Sequence, residues 1–202
     1  MIIPDTVTGI ADGAFAYCDH LTDVSIPSSV SSIGYGAFED CPWLEAQTEQ
    51  FVIVGDGVLI DYNGADSEVY VPAGVKQIVG AFVDCYSITT IHLPDSLLAI
   101  GDSVFSWCYA LTSVAIPDSV TSIGHYAFAN CLSLTGIELP DSLVSIGYDV
   151  FWGCELTSIS VPATVTQCDL WSFAEQWPAV VAPEGSAAAI YRDAAVRMMA
   201  EE

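Results

Sequence analysis

The chain has 202 residues, 52% of them hydrophobic and 14% charged, which is ample for a continuous core and rules out disorder as the default. Against 26 Asp and Glu it sets 3 Lys and Arg, a net charge of -23. That balance excludes nucleic acid, which is held by cations that displace phosphate counterions, and docking on anionic lipid. No uncharged apolar run approaches the ~20 residues of a membrane span, so no membrane insertion is expected.

In chain order the first signal is a repeat. Pro4, Pro27, Pro72, Pro94, Pro117, Pro140 and Pro162 are spaced by 23, 45, 22, 23, 23 and 22 residues, each after an aliphatic residue, and the 45 is a double period. The unit reads I-P-x-x-V-x-x-I-G-x-x-A-F-x-x-C-x-x-L-T-x-V-x, and Ile116 to Gly136 fits it almost letter for letter. Met1 falls where Val24 sits in its own unit, so the first coil opens inside a strand, as expected of a piece of a longer parent. No leader precedes Met1, which leaves the cellular compartment open.

Within a unit, alternation such as Leu111, Val114 and Ile116 predicts one short parallel strand per ~23 residues, ended by the proline that cannot donate to the ladder. The Val-x-x-Ile-Gly stretch points to a second strand or an extended arm. Gly34, Gly101, Gly124 and Gly147 are expected to supply the backbone freedom of a sharp corner. Ala-Phe-x-x-Cys is long enough for one helical turn only, and its phenylalanines (Phe15, Phe38, Phe82, Phe105, Phe128, Phe151) are expected to stack as a spine. One coil cannot bury its own apolar face, so coils must stack into a solenoid.

Between about 45 and 71 the pattern changes. Phe51 to Ile60 holds two apolar runs joined by Gly55-Asp56-Gly57, a hairpin signal, expected to protrude near Asp56 and to replace one repeat without breaking the stack. After Pro162 the coil degenerates, Trp177 to Val181 reads as a last strand, and a helix is predicted from Gly185-Ser186 to about Ala200. Ser186 is its N-cap, Ile190, Tyr191, Ala194 and Met198 its apolar stripe, and Arg192 and Arg197 lie toward the favourable end of its dipole. The predicted organisation is a repeat region at 1–176 and a cap strand and helix at 177–202.

These residues resemble leucine-rich repeats of the BspA-like kind, found in bacterial surface proteins and in some protozoan surface proteins. The resemblance covers roughly Met1 to Gln176. It implies an α/β solenoid with a hairpin-bearing coil, an extracellular or cell-surface location, and adhesion to host matrix proteins or other cells. The partner it implies is a protein or glycan on a host or neighbouring cell surface.

Cys18, Cys41, Cys85, Cys108, Cys131 and Cys154 share one repeat position, spaced by 23, 44, 23, 23 and 23 residues, and read as a structural ladder whose thiols reach backbone. The resemblance implies that they stay unpaired. No Cys-x2-4-Cys spacing marks a zinc site. Cys168 replaces a repeat isoleucine and reads as core. His20, His92 and His125 fall at three different repeat positions, and no catalytic motif is present, so the chain is read as no enzyme, with no cofactor. Asp95, Asp118 and Asp141 stack after their prolines, where turn chemistry accounts for them without a metal.

Binding is therefore assigned to outward residues of the strands, with Asp23, Thr90, His92, Ser113, Glu138, Ser158 and Ser160 as candidates. The exposed aromatics Tyr17, Tyr86, Trp107, Tyr109, Tyr126 and Tyr148 come second. Two functions fit: a non-catalytic binding module, or a structural spacer in a longer surface array.

Overall fold

The fold was taken from a computed structural model, which describes residues 1–168, 171–173 and 180–199. Its strands in chain order are β1 (Gly9–Ile10), β2 (Ser32–Ile33), β3 (Phe51–Val54), β4 (Val58–Tyr62), β5 (Glu68–Tyr70), β6 (Gln77–Ile78), β7 (Thr90–His92), β8 (Ala99–Ile100), β9 (Ser113–Ala115), β10 (Ser122–Ile123), β11 (Gly136–Glu138), β12 (Ser145–Ile146), β13 (Ser158–Ser160) and β14 (Val180–Val181). Helix α1 spans Pro42–Glu45 and α2 spans Ala187–Met199. Apart from the antiparallel pair β3–β4, neighbouring strands run parallel.

Each regular coil contributes two strands to two different sheets. The three-residue strands, extended by the two-residue β14, form the order β14-β13-β11-β9-β7-β5, and the two-residue Val-x-x-Ile strands, joined by the hairpin strands β4 and β3, form β12-β10-β8-β6-β4-β3. The second strand left open by the sequence is thus real. In the three-residue strands only the central residue points inward, so Ile91, Val114, Ile137 and Ile159 are buried between outward neighbours.

The Ala-Phe-x-x-Cys corner is built from paired left-handed residues four apart. Gly13 and Tyr17, Gly36 and Asp40, Gly80 and Asp84, Ser103 and Trp107, Tyr126 and Asn130, and Asp149 and Gly153 all have positive φ. A non-glycine residue there costs about 1–2 kcal/mol. The compensation is a third hydrogen-bond ladder, in which Ser103, Phe105 and Trp107 donate N–H at 2.8 Å to the carbonyls of His125, Ala127 and Ala129 of the next coil.

The corner glycine has a different reason from the one expected. Gly34, Gly101, Gly124 and Gly147 lack positive φ, and what they supply is closeness. A Cβ on Gly101 would lie 2.7 Å from the Ile78 carbonyl oxygen, and one on Gly147 would lie 2.6 Å from the His125 nitrogen. Only a residue without a side chain lets adjacent coils approach this far.

Polar letters of the repeat clip each coil to the one before it. The serine of Pro-Asp-Ser donates to a buried carbonyl one coil back: Ser96 to Val75 at 2.8 Å, Ser119 to Leu97 at 2.6 Å, Ser142 to Val120 at 2.7 Å. The cysteine does the same at the spine. The thiols of Cys108, Cys131 and Cys154 donate to the carbonyls of Phe82, Phe105 and Phe128 at 3.1, 3.2 and 3.1 Å, and Cys41 donates to Leu21 at 3.3 Å. No disulfide joins the described cysteines.

Burial among apolar neighbours pushes the Cys108 thiol from 9.0 up to about 12 and Cys85, which also faces Asp61 and Asp84, up to about 11. Cys131 is raised as well, first by its hydrogen bond with Cys154. The fold thus holds the protonated thiol. Its stabilisation is complete below pH ~9 and is lost as pH rises through the unfolded value toward the folded one. We expect the native chain to leave Cys108 and Cys131 unmodified by a thiol reagent at pH 8, to react at both on unfolding, and to lose stability above pH ~9. Fast labelling of the native state at these two positions would contradict it.

The phenylalanine spine is interrupted. Phe82, Phe105, Phe128 and Phe151 stack at 5.5, 5.1 and 5.6 Å, Phe173 extends the stack at 6.0 Å, and Phe15 and Phe38 form a separate pair at 5.3 Å. Between the two stacks lies the hairpin coil, where Tyr62 tilts against Phe82 at 5.0 Å, and the core divides there into two clusters. The hairpin lies in the sheet with its tip tied down. Asp56 N–H donates to the Val30 carbonyl at 2.7 Å, and the Asp56 carboxylate holds Lys76 at 2.8 Å. Across this seam the Gln77 amide bonds both the N–H and the carbonyl of Ile33 at 3.2 Å, replacing a strand pairing by a side chain.

At the C-terminal end Ser186 caps α2, its hydroxyl accepting the Ala189 N–H at 3.2 Å. The buried face differs from the expected stripe: Ala188 and Ala189 are buried, Tyr191 packs in part, and Ile190 and Ala194 are exposed. Small side chains let the helix sit close on β14. Trp177, the boundary at 176/177 and the side chains of Arg197 and Met198 lie outside the described residues.

Candidate functional site

The outward residues of the three-residue strands fall into two rows set by register. Pairing of β5 with β7 aligns Glu68 with Thr90 and Tyr70 with His92, and pairing of β7 with β9 aligns Thr90 with Ser113 and His92 with Ala115. Glu138 then aligns with Ala115 and Ser160, and Gly136 with Ser158. Thr90, His92, Ser113, Glu138, Ser158 and Ser160 consequently line one open depression of about 670 Å³. Its floor is the sheet, and its lining mixes outward polar residues with the apolar Val114, Ala115 and Ile137.

Asp23 does not belong to this group. It is exposed, and its carbonyl accepts the Met1 ammonium at 2.6 Å. In the intervening coil, Pro42 starts helix α1, and no strand of this row forms between Ser25 and Glu68. The six-stranded sheet therefore begins at β5, and the neighbouring coil reaches its partner only through the Ile2–Ser25 bridge.

One part of the face is more structured than its residue types announce. The imidazole of His92 stacks on Tyr70 at 4.1 Å and meets Glu68 at 2.9 Å, and the Tyr70 hydroxyl donates to the same carboxylate at 2.8 Å. The hydrogen bond from His92, followed by that from Tyr70, lowers the pKa of Glu68, and the carboxylate raises that of Tyr70. Glu68 and Tyr70 escaped the reading of the sequence because they lie in the irregular coil. The signal that finds them is Val69, which sits two periods after Val24.

The other histidines are placed differently. His125 Nδ1 accepts the Tyr148 backbone N–H at 3.0 Å, so its ring braces adjacent coils, and the His125 backbone N–H donates to Asp102 Oδ1 at 2.7 Å. His20 is exposed far from both. Asp95, Asp118 and Asp141 are exposed, and among the described residues no cluster of three or more metal-ligating side chains occurs. Of the aromatics, Tyr86 and Tyr109 stack on each other at 5.2 Å.

A stack of parallel strands, with ladders of serine, cysteine and phenylalanine on a 23-residue period and an open polar strand face, defines a leucine-rich repeat scaffold. Residues 1–56 and 60–177 match the BspA type leucine rich repeat region in six copies, and the chain belongs to that family. No curated protein matches the chain.

Solved structures are similar to it. A leucine rich cell surface protein of Faecalibacterium prausnitzii is 28% identical over 96% of this chain and 61% of its own, with a TM-score of 0.63. A leucine rich repeat protein of T. pallidum is 33% identical over 60% of this chain and 62% of its own, with a TM-score of 0.56. The chain thus spans about three fifths of each. It is related to bacterial surface proteins of this kind. Among the described residues no helix is long and apolar enough to cross a membrane.

Proposed function

We propose that the chain is a non-catalytic binding module of a bacterial cell-surface or secreted protein, contacting a protein or glycan of a host or neighbouring cell through its strand face. The observation that carries this reading is the open depression of about 670 Å³, lined by Thr90, Ser113, Glu138 and Ser158. Short side chains on a flat sheet leave room for a broad partner and offer no enclosed space for chemistry. The likeness to a cell surface protein supports the location. The net charge of -23 steers basic surfaces toward the chain.

The test is display of the isolated chain against host matrix proteins and a glycan array. A Thr90→Trp, Ser158→Trp variant, which fills the depression without touching the core, is expected to lose binding by about tenfold or more with an unchanged melting temperature. The association rate should fall as salt shortens the screening length below ~8 Å. Unaltered binding by the double variant would move the contact elsewhere. No binding to any partner would favour the spacer.

A further inference from the structure

A second surface lies on the corner side of the coils. A groove of about 230 Å³ crosses successive coils there, with the small, largely covered residues Val83, Ser106 and Ala129 at its base. Four aromatic residues from four coils, Tyr35, Trp107, Tyr126 and Trp152, line it. Tyr35, Trp107 and Trp152 are each 40–43% exposed, and Trp107 meets Tyr109 in a T-shaped pair at 6.0 Å.

The same groove is lined by Asn130. Asn130 is 9% exposed, and its Nδ2 has no hydrogen-bond partner among the described residues. Its Oδ1 faces Gly153, where a side chain would collide with it. A buried amide donor without an acceptor is rare in folded chains, and this nitrogen is closed off beneath the groove rather than presented on its open face.

Charge narrows the ligand. Glu39, Asp84 and Asp102 all act on the Tyr35 hydroxyl, which burial foremost and these carboxylates next push upward, and Asp149 acts likewise on Tyr126. The described cations are spoken for: Lys76 holds Asp56 and Arg192 holds Asp193. A cation over aromatic faces in an acidic rim is attracted by the ring quadrupoles and by the carboxylates together. A neutral sugar would use the faces but gain nothing from the rim. The volume suits one long side chain and its backbone, being smaller than the ~300 Å³ at which small-molecule pockets begin.

We propose that this groove docks an extended, arginine-bearing segment of a partner protein, its guanidinium held on the aromatic faces that line the groove. The surface is separate from the strand face, so the two contacts can be engaged independently.

The test uses the full chain and its tryptophan fluorescence. It is titrated with a Gly/Ser peptide carrying two arginines, with the same peptide carrying neutral citrulline, and with a neutral glucan oligomer. The expected result is saturable quenching by the arginine peptide, with binding about tenfold or more weaker for citrulline and for Trp107→Leu. Glu39→Gln with Asp84→Asn, both exposed and the latter tolerant of positive φ, should weaken it severalfold whether or not the tryptophan variant folds. Thr90→Trp, Ser158→Trp should leave it unchanged, which separates this site from the strand face. The proposal is overturned by equal binding of the citrulline peptide, by a stronger response to the glucan, by insensitivity to the charge variant, or by no response to the arginine peptide.

Discussion

Phe128→Ala is expected to cost about 3–5 kcal/mol, and Phe15→Ala distinctly less. Phe128 is fully buried and stacks on both sides, at 5.1 Å from Phe105 and 5.6 Å from Phe151. Removing it empties a space whose walls are other rings held by their own ladders, so little collapse can refill it. Phe15 is only partly buried and has a single stacking neighbour, Phe38. Urea unfolding of both variants gives the comparison. Equal losses would contradict a stack in which each coil depends on its immediate neighbours.

Gly147→Ala is the second large effect, at about 1–3 kcal/mol or more, because the new methyl meets main chain that cannot swing aside. The added Cβ would stand 2.6 Å from the His125 nitrogen and 2.7 Å from the Gly124 carbonyl carbon. Gly136→Ala provides the control, since nothing lies within 4 Å of a Cβ there. It should be close to neutral. Thermal melts of the two variants decide the point, and similar midpoints would show that coil spacing is not limited by these glycines.

The contrast between these glycines marks what could be read in advance. Period, strand direction, thiol ladder and capping residue are legible because each depends on a residue type recurring at fixed spacing. Gly147 was recognisable as special, but its reason was not: the need for it arises from the coil before it, a neighbour that spacing alone does not describe in space. The left-handed corner residues were invisible for the opposite cause. Ser103, Trp107, Tyr126 and Asn130 share no chemistry, and the inter-coil ladder imposes the conformation on whatever occupies the position.

The outward strand face was legible only where the repeat is regular. Thr90, His92, Ser113, Glu138, Ser158 and Ser160 share a face because period-2 alternation carries over from coil to coil. Asp23 was included on the same logic and lies apart from them, since a proline-led helix interrupts the row between it and the rest. Asn130 could not be singled out, because an unpartnered amide is a property of surroundings rather than of sequence.

The side-chain clips between coils carry a consequence for the size of such proteins. Ser119, Cys131 and Ser142 find their partners 22, 26 and 22 residues back, so the contacts of a regular coil end at its nearest neighbours. Duplicating or deleting one whole unit inside the run from Pro94 to Pro140 therefore regenerates the serine and cysteine clips at the new junction. Array length there is a free variable that can change without redesign of the core. The hairpin coil is not exchangeable in this way: Gln77 bonds Ile33 across 44 residues, and Asp56 is tied to Val30 on one side and Lys76 on the other. It acts as a fixed joint, and growth is confined to the regular coils beyond it.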